Sequence, residues 1–540
     1  MTKMVSSNLP LLILCGPLAV AVVIFLLPAR GLSTKCFEAI HLASTIFVLA
    51  LSITVAGHVI AGDSLTAFGD WFYIDSLGCI FVSLIGIVGF LTGLYSIGYI
   101  RHDLESGLLD RGKVKLYYGF FSLFLFTMLL AATSNNIVVM WVAIEATTLG
   151  SAFLVGLYGQ KSSLEAAWKY VIICTVGVAF GLYGTVLAYA NGSEVLGNSE
   201  GAILWTTLAA HAASLDPTLA KLSFVFVLIG FGTKAGIFPM HAWLPDAHSE
   251  APSPISGLLS GVLLKCAILV IIRYYIITLK AVGPEFPQTL LLTLGILSIA
   301  VSAFLIYVQH DFKRKLAYHS VEHIGLIVLG LGIGGPLGIG GALLHTVNHS
   351  LTKALLFCGS GNVLMKYGTR DLQSVKGILR VAPVTGLLIM GGALALAGFP
   401  PFNVFVSEFL IFAAGVKQGY YVLMIVCALL FTITVAALIQ IIAESVLGKS
   451  PESMPKRDVG WLSLAPMVIL LALVLAMGVA VPQPVSRLLQ SATNVVLDDH
   501  SAVAITAPWQ TPAAATPQSG VQGGPVALVT DTPSHSETNP

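Results

Sequence analysis

The sequence predicts an all-α polytopic membrane protein with about fourteen transmembrane helices, on three observations. Hydrophobic residues make up 56% of the 540, and only 10% are charged, where a soluble globular protein carries about a quarter. Mean hydropathy is correspondingly high, at +0.89. Apolar runs long enough to cross a hydrocarbon core of about 30 Å as helices recur almost end to end.

The same composition excludes other classes. With 27 basic and 26 acidic residues, a net charge of +1 and no long basic tract, neither nucleic-acid binding nor a polybasic lipid anchor is expected. The seven cysteines (Cys15, Cys36, Cys79, Cys174, Cys266, Cys358 and Cys427) are scattered. None has the close spacing that holds zinc, an iron–sulfur cluster or haem, so no cofactor is expected in this chain.

In order, spans are expected near residues 9–28, 38–60, 76–100, 115–133, 136–158, 166–190, 222–240, 256–278, 288–308, 321–340, 341–362, 384–416, 420–446 and 462–481. The first follows a single lysine and has no small-residue cleavage site, so it reads as a retained helix. The twelfth is too long for one simple crossing and is broken at Pro400-Pro401. Residues 491–540, rich in Pro, Thr, Ser and Gly, are expected to form a disordered polar tail with too little apolar surface to bury.

Basic residues orient these spans, because cytoplasmic loops are enriched in Lys and Arg. With the N-terminus outside, the inward loops hold eighteen: Arg30, Lys35, Arg101, Arg111, Lys113, Lys115, Lys161, Lys169, Lys313, Arg314, Lys315, Lys366, Arg370, Lys376, Arg380, Lys449, Lys456 and Arg457. Outward segments hold six, Lys3, Lys221, Arg273, Lys280, Lys417 and Arg487. Both termini are therefore expected on the non-cytoplasmic side. The remaining three of the 27, Lys234, Lys265 and Lys353, fall inside apolar spans, and there the chemistry is sought.

The fifth span carries Glu145 in an otherwise apolar helix, and the seventh and eighth carry Lys234 and Lys265. A charge at the bilayer centre costs roughly 2.5–3.5 kcal/mol on insertion scales, so each needs a partner or a task. Burial lowers a lysine pKa and a nearby carboxylate raises it, which makes such a lysine a switchable proton site. A purely structural ion pair is the alternative. The eleventh span reads His345-Thr-Val-Asn-His349-Ser-Leu-Thr-Lys353, and the i, i+4, i+8 spacing aligns two imidazoles and an ammonium on one face. Histidine titrates near neutral pH and passes protons through both ring nitrogens, so the stripe suits a proton relay. A satisfied polar seam is the alternative, and a metal pair is less favoured because no third ligand lies nearby in sequence. Beyond the proline break, Glu408 supplies a second intramembrane carboxylate.

The loop Trp243-Leu-Pro-Asp246-Ala-His248-Ser-Glu250 is interfacial. Asp246, His248 and Glu250 read as proton entry or as simply solvated, and His319, Glu322 and His323 as proton access or as a satisfied interfacial cluster. Asp311-Phe-Lys-Arg-Lys315 reads as a topological anchor. Arg273 and Glu444, near span ends, are of the kind that snorkels. Two segments resemble each other, Gly236-Ile-Phe-Pro239 and Gly398-Phe-Pro400-Pro401; paired Gly/Pro interruptions often mark repeats whose broken helices line a polar site, while two ordinary proline kinks are the alternative.

Phe231-Gly-Thr-Lys234-Ala-Gly-Ile-Phe-Pro-Met-His-Ala-Trp-Leu-Pro-Asp246, with Asp311-Phe-Lys-Arg-Lys-Leu-Ala-Tyr and the His345–Lys353 stretch, resembles the antiporter-like subunits shared by respiratory complex I, multi-subunit sodium/proton antiporters and membrane-bound hydrogenases. Ile97-Gly-Tyr-Ile-Arg-His, Gly150-Ser-Ala-Phe-Leu-Val-Gly-Leu-Tyr-Gly-Gln and Phe357-Cys-Gly-Ser-Gly-Asn-Val look most like the F component of hydrogenase-4, from the formate hydrogenlyase group. The resemblance implies two inverted five-helix repeats with broken helices seven and twelve. The chain then divides into N-terminal helices (1–114), a first repeat (115–278), a second repeat (279–446), a last helix (447–490) and the tail (491–540).

The resemblance also implies roles: Glu145 paired with Lys234, Lys265 as a bridge, His345, His349 and Lys353 as the relay, and Glu408 as its terminal group. It implies a proton-translocating subunit of a group 4 [NiFe] hydrogenase-type complex in the bacterial inner membrane. The [NiFe] centre and iron–sulfur clusters would lie in partner subunits, with other membrane-arm subunits, peripheral hydrogenase subunits and formate dehydrogenase as partners. A cation/proton antiporter or inorganic-carbon uptake subunit, and a non-conducting scaffold, are the other readings. The long lateral helix of the complex I distal subunit is not expected, because no apolar helical run follows residue 490.

Overall fold

A computed structural model describes residues 3–28, 33–450, 454–499 and 504–510. Arg30 and residues 511–540 of the expected tail lie outside them. Among the described residues, twelve helices are long and apolar enough to cross a membrane. They are α1 (Leu9–Leu26), α2 (Thr34–Ile60), α3 (Ser76–Glu105), α4 (Arg111–Thr133), α5 (Ile137–Val155), α6 (Lys161–Leu196), α7 (Pro217–Ala235), α9 (Ser253–Val282), α10 (Glu285–Val308), α11 (Phe312–Ile333), α15 (Tyr421–Val446) and α16 (Trp461–Val479). Short α8 (Leu244–Glu250) lies between α7 and α9. The other two expected segments have a different form. One is α12 (Gly335–Tyr367), a 33-residue helix whose polar face lowers its hydropathy. The other is split into α13 (Pro383–Leu396) and α14 (Asn403–Lys417).

The two interruptions share a design. α7 ends at Gly236 (φ +81°) and α13 is followed by Gly398 (φ +68°), both in the left-handed region where glycine is favoured. In each case a cis X-Pro bond follows, Phe238-Pro239 and Pro400-Pro401. A hydrogen bond to water is not available in hydrocarbon, so backbone leaves a helix there only where protein encloses it or a water-filled cavity receives it; Ile237 is buried at the first break, whereas Phe399, Pro400 and Pro401 at the second are exposed.

α9, α11 and most of α12 are buried on all sides. α2, α6 and α15 carry exposed apolar side chains such as Ile53, Phe180 and Leu429, the surface a lipid-facing helix presents. Small residues let helices approach closely, as membrane packing favours: a Cβ on Gly230 of α7 would collide with the backbone of Gly181 on α6.

Three features depart from the expectations. A small sheet, with β1 (Lys3–Ser6) parallel to β2 (Asp63–Ala67) and β2 antiparallel to β3 (Phe72–Ile74), caps one end of the N-terminal helices. The chain past residue 490 is ordered further than composition indicated: α17 (Gln483–Leu497) buries Leu488, Leu489, Ala492 and Val496 along one stripe. Beyond it Ile505 is buried and Trp509 donates from its indole to the Val479 carbonyl at 2.7 Å. An amphipathic helix needs only one apolar face, which an average over a Pro- and Ser-rich tail hides. Finally, Arg273 does not snorkel. It is buried against Asp75, with two hydrogen bonds of 2.7 Å joining α9 to the start of α3, and its guanidinium lies 4.2 Å from the Trp205 ring.

Candidate functional site

Lys265, His345, His349 and Lys353 are fully buried, as are His319, Glu322 and His323 of α11. Their positions follow from the helices that carry them. A π-bulge over Leu259–Leu263 widens α9 one turn before Lys265 and leaves the Ser260 carbonyl within reach of the Lys265 ammonium, which donates to it; such bulges are frequent at functional sites. Lys265 Nζ also lies 2.7 Å from His349 Nδ1. The His349 ring stacks on His323 at 4.8 Å, and His323 on His345 at 5.1 Å, with His323 Nδ1 3.0 Å from His345 Nε2. His345 Nδ1 is 2.9 Å from Ser407 Oγ on α14. Lys265, His349, His323, His345 and Ser407 thus form one row of touching side chains from α9 to the second broken helix, hydrogen-bonded at each step except between His349 and His323, whose rings stack and where His349 Nε2 has no partner.

The spacing on α12 did not reveal this order. The His345 and His349 rings are 6.1 Å apart, and His323, expected at the access point, sits between them. His319 lies beside it and pairs with Glu322 at 2.9 Å. His319, Glu322 and His323 offer ligand atoms within 4.8 Å of one another, close enough for a metal ion, though the His319–Glu322 hydrogen bond occupies part of that set. Lys353 makes no hydrogen bond to the histidines: it donates to the Leu316 carbonyl at 2.5 Å and lies over the Phe357 ring. Glu408 follows Ser407 but is half-buried, lining an open cleft with Phe405, Phe409 and Phe431.

Glu145 and Lys234 form a second cluster. Lys234 is fully buried and donates to Thr148 Oγ1 at 2.7 Å and Tyr170 Oη at 2.6 Å, with its ammonium 4.6 Å from the Tyr170 ring centre. Glu145 is half-buried and accepts from Thr175 Oγ1 at 2.8 Å, while its Oε2 has no hydrogen-bond partner. The two do not form an ion pair, and among the described residues no hydrogen bond connects Lys234 to Lys265. Sequence reading missed Thr148, Ser151, Tyr170 and Thr175, Ser151 Oγ lying 2.7 Å from Tyr170 Oη; Thr148 lies three residues after Glu145, so that shared face was readable.

The expected entry residues separate. Asp246 pairs with Arg314 at 2.7 Å and Lys169 at 3.3 Å, and Glu250 with Arg370 at 2.5 Å. His248 is fully buried, stacked 5.3 Å from Phe357, and neither ring nitrogen has a hydrogen-bond partner. Within the expected anchor only Arg314 behaves as one. Lys313 is buried and donates to the Ala251 carbonyl, because α11 starts beneath the α8–α9 junction.

A buried row of imidazoles and an ammonium joined to a broken helix can be set beside known proteins. Residues 134–434 match the family described as "NADH:quinone oxidoreductase/Mrp antiporter, TM". The chain belongs to that family. Residues 70–106 also match "NADH-Ubiquinone oxidoreductase (complex I), chain 5 N-terminus". Among relatives of this antiporter-like family, "Hydrogenase-4 component F homolog" of Methylacidiphilum infernorum is 39% identical over 77% of this chain and 86% of its own length. A subunit of the Na(+)/H(+) antiporter of Alkalihalophilus pseudofirmus is 28% identical over 84% and 90%. The fold matches a chain of the archaeal membrane-bound sulfane sulfur reductase (TM-score 0.82, 23% identity, 91% and 98% coverage) and one of the Mrp complex of a Dietzia species (TM-score 0.79, 20% identity, 92% and 97%). The chain is therefore a multi-pass antiporter-like membrane subunit, and its relatives belong to multi-subunit complexes.

Proposed function

We infer that this chain is the proton-translocating membrane subunit of a hydrogenase-4 or formate hydrogenlyase type complex in a bacterial cytoplasmic membrane. The observation that carries the reading is the row from Lys265 through His349, His323 and His345 to Ser407, hydrogen-bonded except for the stack of His349 on His323 and built of groups able to donate and accept protons. The 39% identity to a hydrogenase-4 component F homolog supports the type of complex. Redox chemistry at a [NiFe] centre and iron–sulfur clusters belongs, in this reading, to partner subunits, with formate dehydrogenase as a further partner.

Glu145 and Lys234 act as the switch. With Lys234 on the hydroxyls of Thr148 and Tyr170 and Glu145 on Thr175, the pair is open. Bringing the carboxylate to the ammonium favours its charged form, and withdrawing it favours release. Moving one proton against 100 mV requires about 2.3 kcal/mol, which a conformational change in the assembly can supply. Glu408 receives the proton beyond Ser407.

In the assembled complex in proteoliposomes, Lys234→Ala and Glu408→Gln should each reduce redox-driven proton movement at least about tenfold while assembly is retained. Wild-type pumping in both variants overturns the reading. The 28% identity to a sodium/proton antiporter subunit favours a second reading, cation/proton exchange, which predicts that transport depends on sodium.

A further inference from the structure

On the face that carries the basic loops, a cavity of about 600 Å³ is lined by Tyr99, Asp103, Tyr158, Glu250, Lys313 and Arg370 among others. Three of these belong to α3 and the loop after α5, outside both groups described above, and they are linked. Tyr158 donates its hydroxyl proton to Asp103 Oδ2 at 2.6 Å, and the Tyr158 and Tyr99 hydroxyls are 3.3 Å apart. The Tyr99 ring lies 6.0 Å from that of Tyr95, whose hydroxyl borders Gly361 together with Ser253 at the start of α9. The Ser253 hydroxyl is fully buried and has no hydrogen-bond partner, the usual mark of a site that takes a water molecule or a mobile proton donor.

From Ser253 the polar positions continue along one face of α9. Ser256 and Ser260 follow at i+3 and i+7, Ser260 Oγ lies 2.7 Å from Ser320 Oγ, and the Ser260 carbonyl receives Lys265. One side of this line is kept clear by Gly361 of α12, where a Cβ would collide with the Tyr95 hydroxyl and Ser253.

The geometry points to a proton intake that runs from the cavity through Asp103, Tyr158, Tyr99 and Ser253 along the α9 serine face to Lys265, so that α3 feeds the row. The inference rests on the proton-translocating reading. Asp103 takes a proton from cavity water. Tyr158 and Tyr99 each accept one on the hydroxyl oxygen as they pass on their own, and bridging water completes the serine steps. His102, Glu250, Lys313 and Arg370 are the other charged or titratable side chains at the cavity wall.

The test compares variants of the assembled complex in proteoliposomes. Asp103→Asn and Tyr99→Phe should each slow proton movement at least about fivefold, Asp103→Glu should restore it, and the solvent deuterium isotope effect should rise because intake has become limiting. Gly361→Ala, which adds one methyl group in the line, should slow it as well. The inference is overturned if Asp103→Asn and Tyr99→Phe both run at the wild-type rate while Lys265→Met is blocked. If Lys265→Met also runs at the wild-type rate, the translocation reading falls and the intake with it. Tyr99→Phe removes a single oxygen and so remains informative where Asp103→Asn impairs assembly.

Discussion

The imidazoles of His323 and His345 stand 5.1 Å apart and nearly parallel, at 13°, with a ring nitrogen of each 3.0 Å from the other. They come from different helices, α11 and α12, so the row depends on how those helices pack as well as on which residues they carry. His323→Phe should retain the stacked shape and remove both nitrogens. Proton movement is expected to fall by about 10²-fold or more, the scale of losing a positioned acid–base group, with the melting temperature of the detergent-solubilised protein nearly unchanged. Dye-monitored acidification of proteoliposomes measures the first and a thermal melt the second.

Thr175 is the hydrogen-bond donor to Glu145. Thr175→Val preserves shape and removes that bond, and because a hydrogen bond to a charged group contributes about 1.5–3 kcal/mol, transport is expected to slow by about tenfold or more. Thr175→Ser should recover most of the rate. Equal rates in all three proteins would show that the Thr175 contact does not influence Glu145.

Asp75 and Arg273 have side chains only 3% exposed. Removing one partner leaves an unpaired buried charge and costs about 3–5 kcal/mol, while replacing both with apolar residues of similar volume is often neutral. Arg273→Leu alone should therefore lower the melting temperature sharply, and Asp75→Leu/Arg273→Leu should recover much of the loss. A double variant no better than the single would assign the effect to the Trp205 contact instead.

Outside the spans, burial raises the Glu250 carboxyl pKa, but Arg370 outweighs it and holds the group below its ordinary value of 4.5. A depressed carboxylate stabilises the fold fully above its unfolded pKa, and that contribution is lost as pH falls through the folded value. The melting-temperature gap between wild type and Glu250→Gln should be constant above about pH 5 and close on further acidification, with a size of about 1 kcal/mol for a partly exposed pair. A gap that widens in acid would contradict the assignment.

Much of this was legible in the sequence. Lys234, Lys265, Glu145 and the His345/His349 face stood out because bilayer makes any charge in an apolar run conspicuous, and both helix breaks were visible as Gly/Pro segments. What was hidden depends on tertiary contact. His323 looked interfacial because the expected span begins at residue 321, whereas α11 begins at Phe312 and places it mid-helix, and nothing in one helix's spacing shows that another helix inserts a ring between its own histidines. Arg273 passed for a topological charge because Asp75 is 198 positions away. Lys313, in a run of three basic residues, gave no sign that only Arg314 among them faces the surface as an anchor.

α9 and α11 owe their full burial to Ile, Leu and Val side chains packed around Ser253, His319, Glu322 and His349, each of which has a polar atom without a hydrogen-bond partner in the protein. That packing is insulation. Water wets a narrow apolar passage only reluctantly, so on the proton-translocating reading conduction would be confined to the few polar atoms that can recruit it. Substitutions that enlarge the apolar lining, such as Leu→Ala beside the row, should therefore make the chain leak protons before they make it unfold.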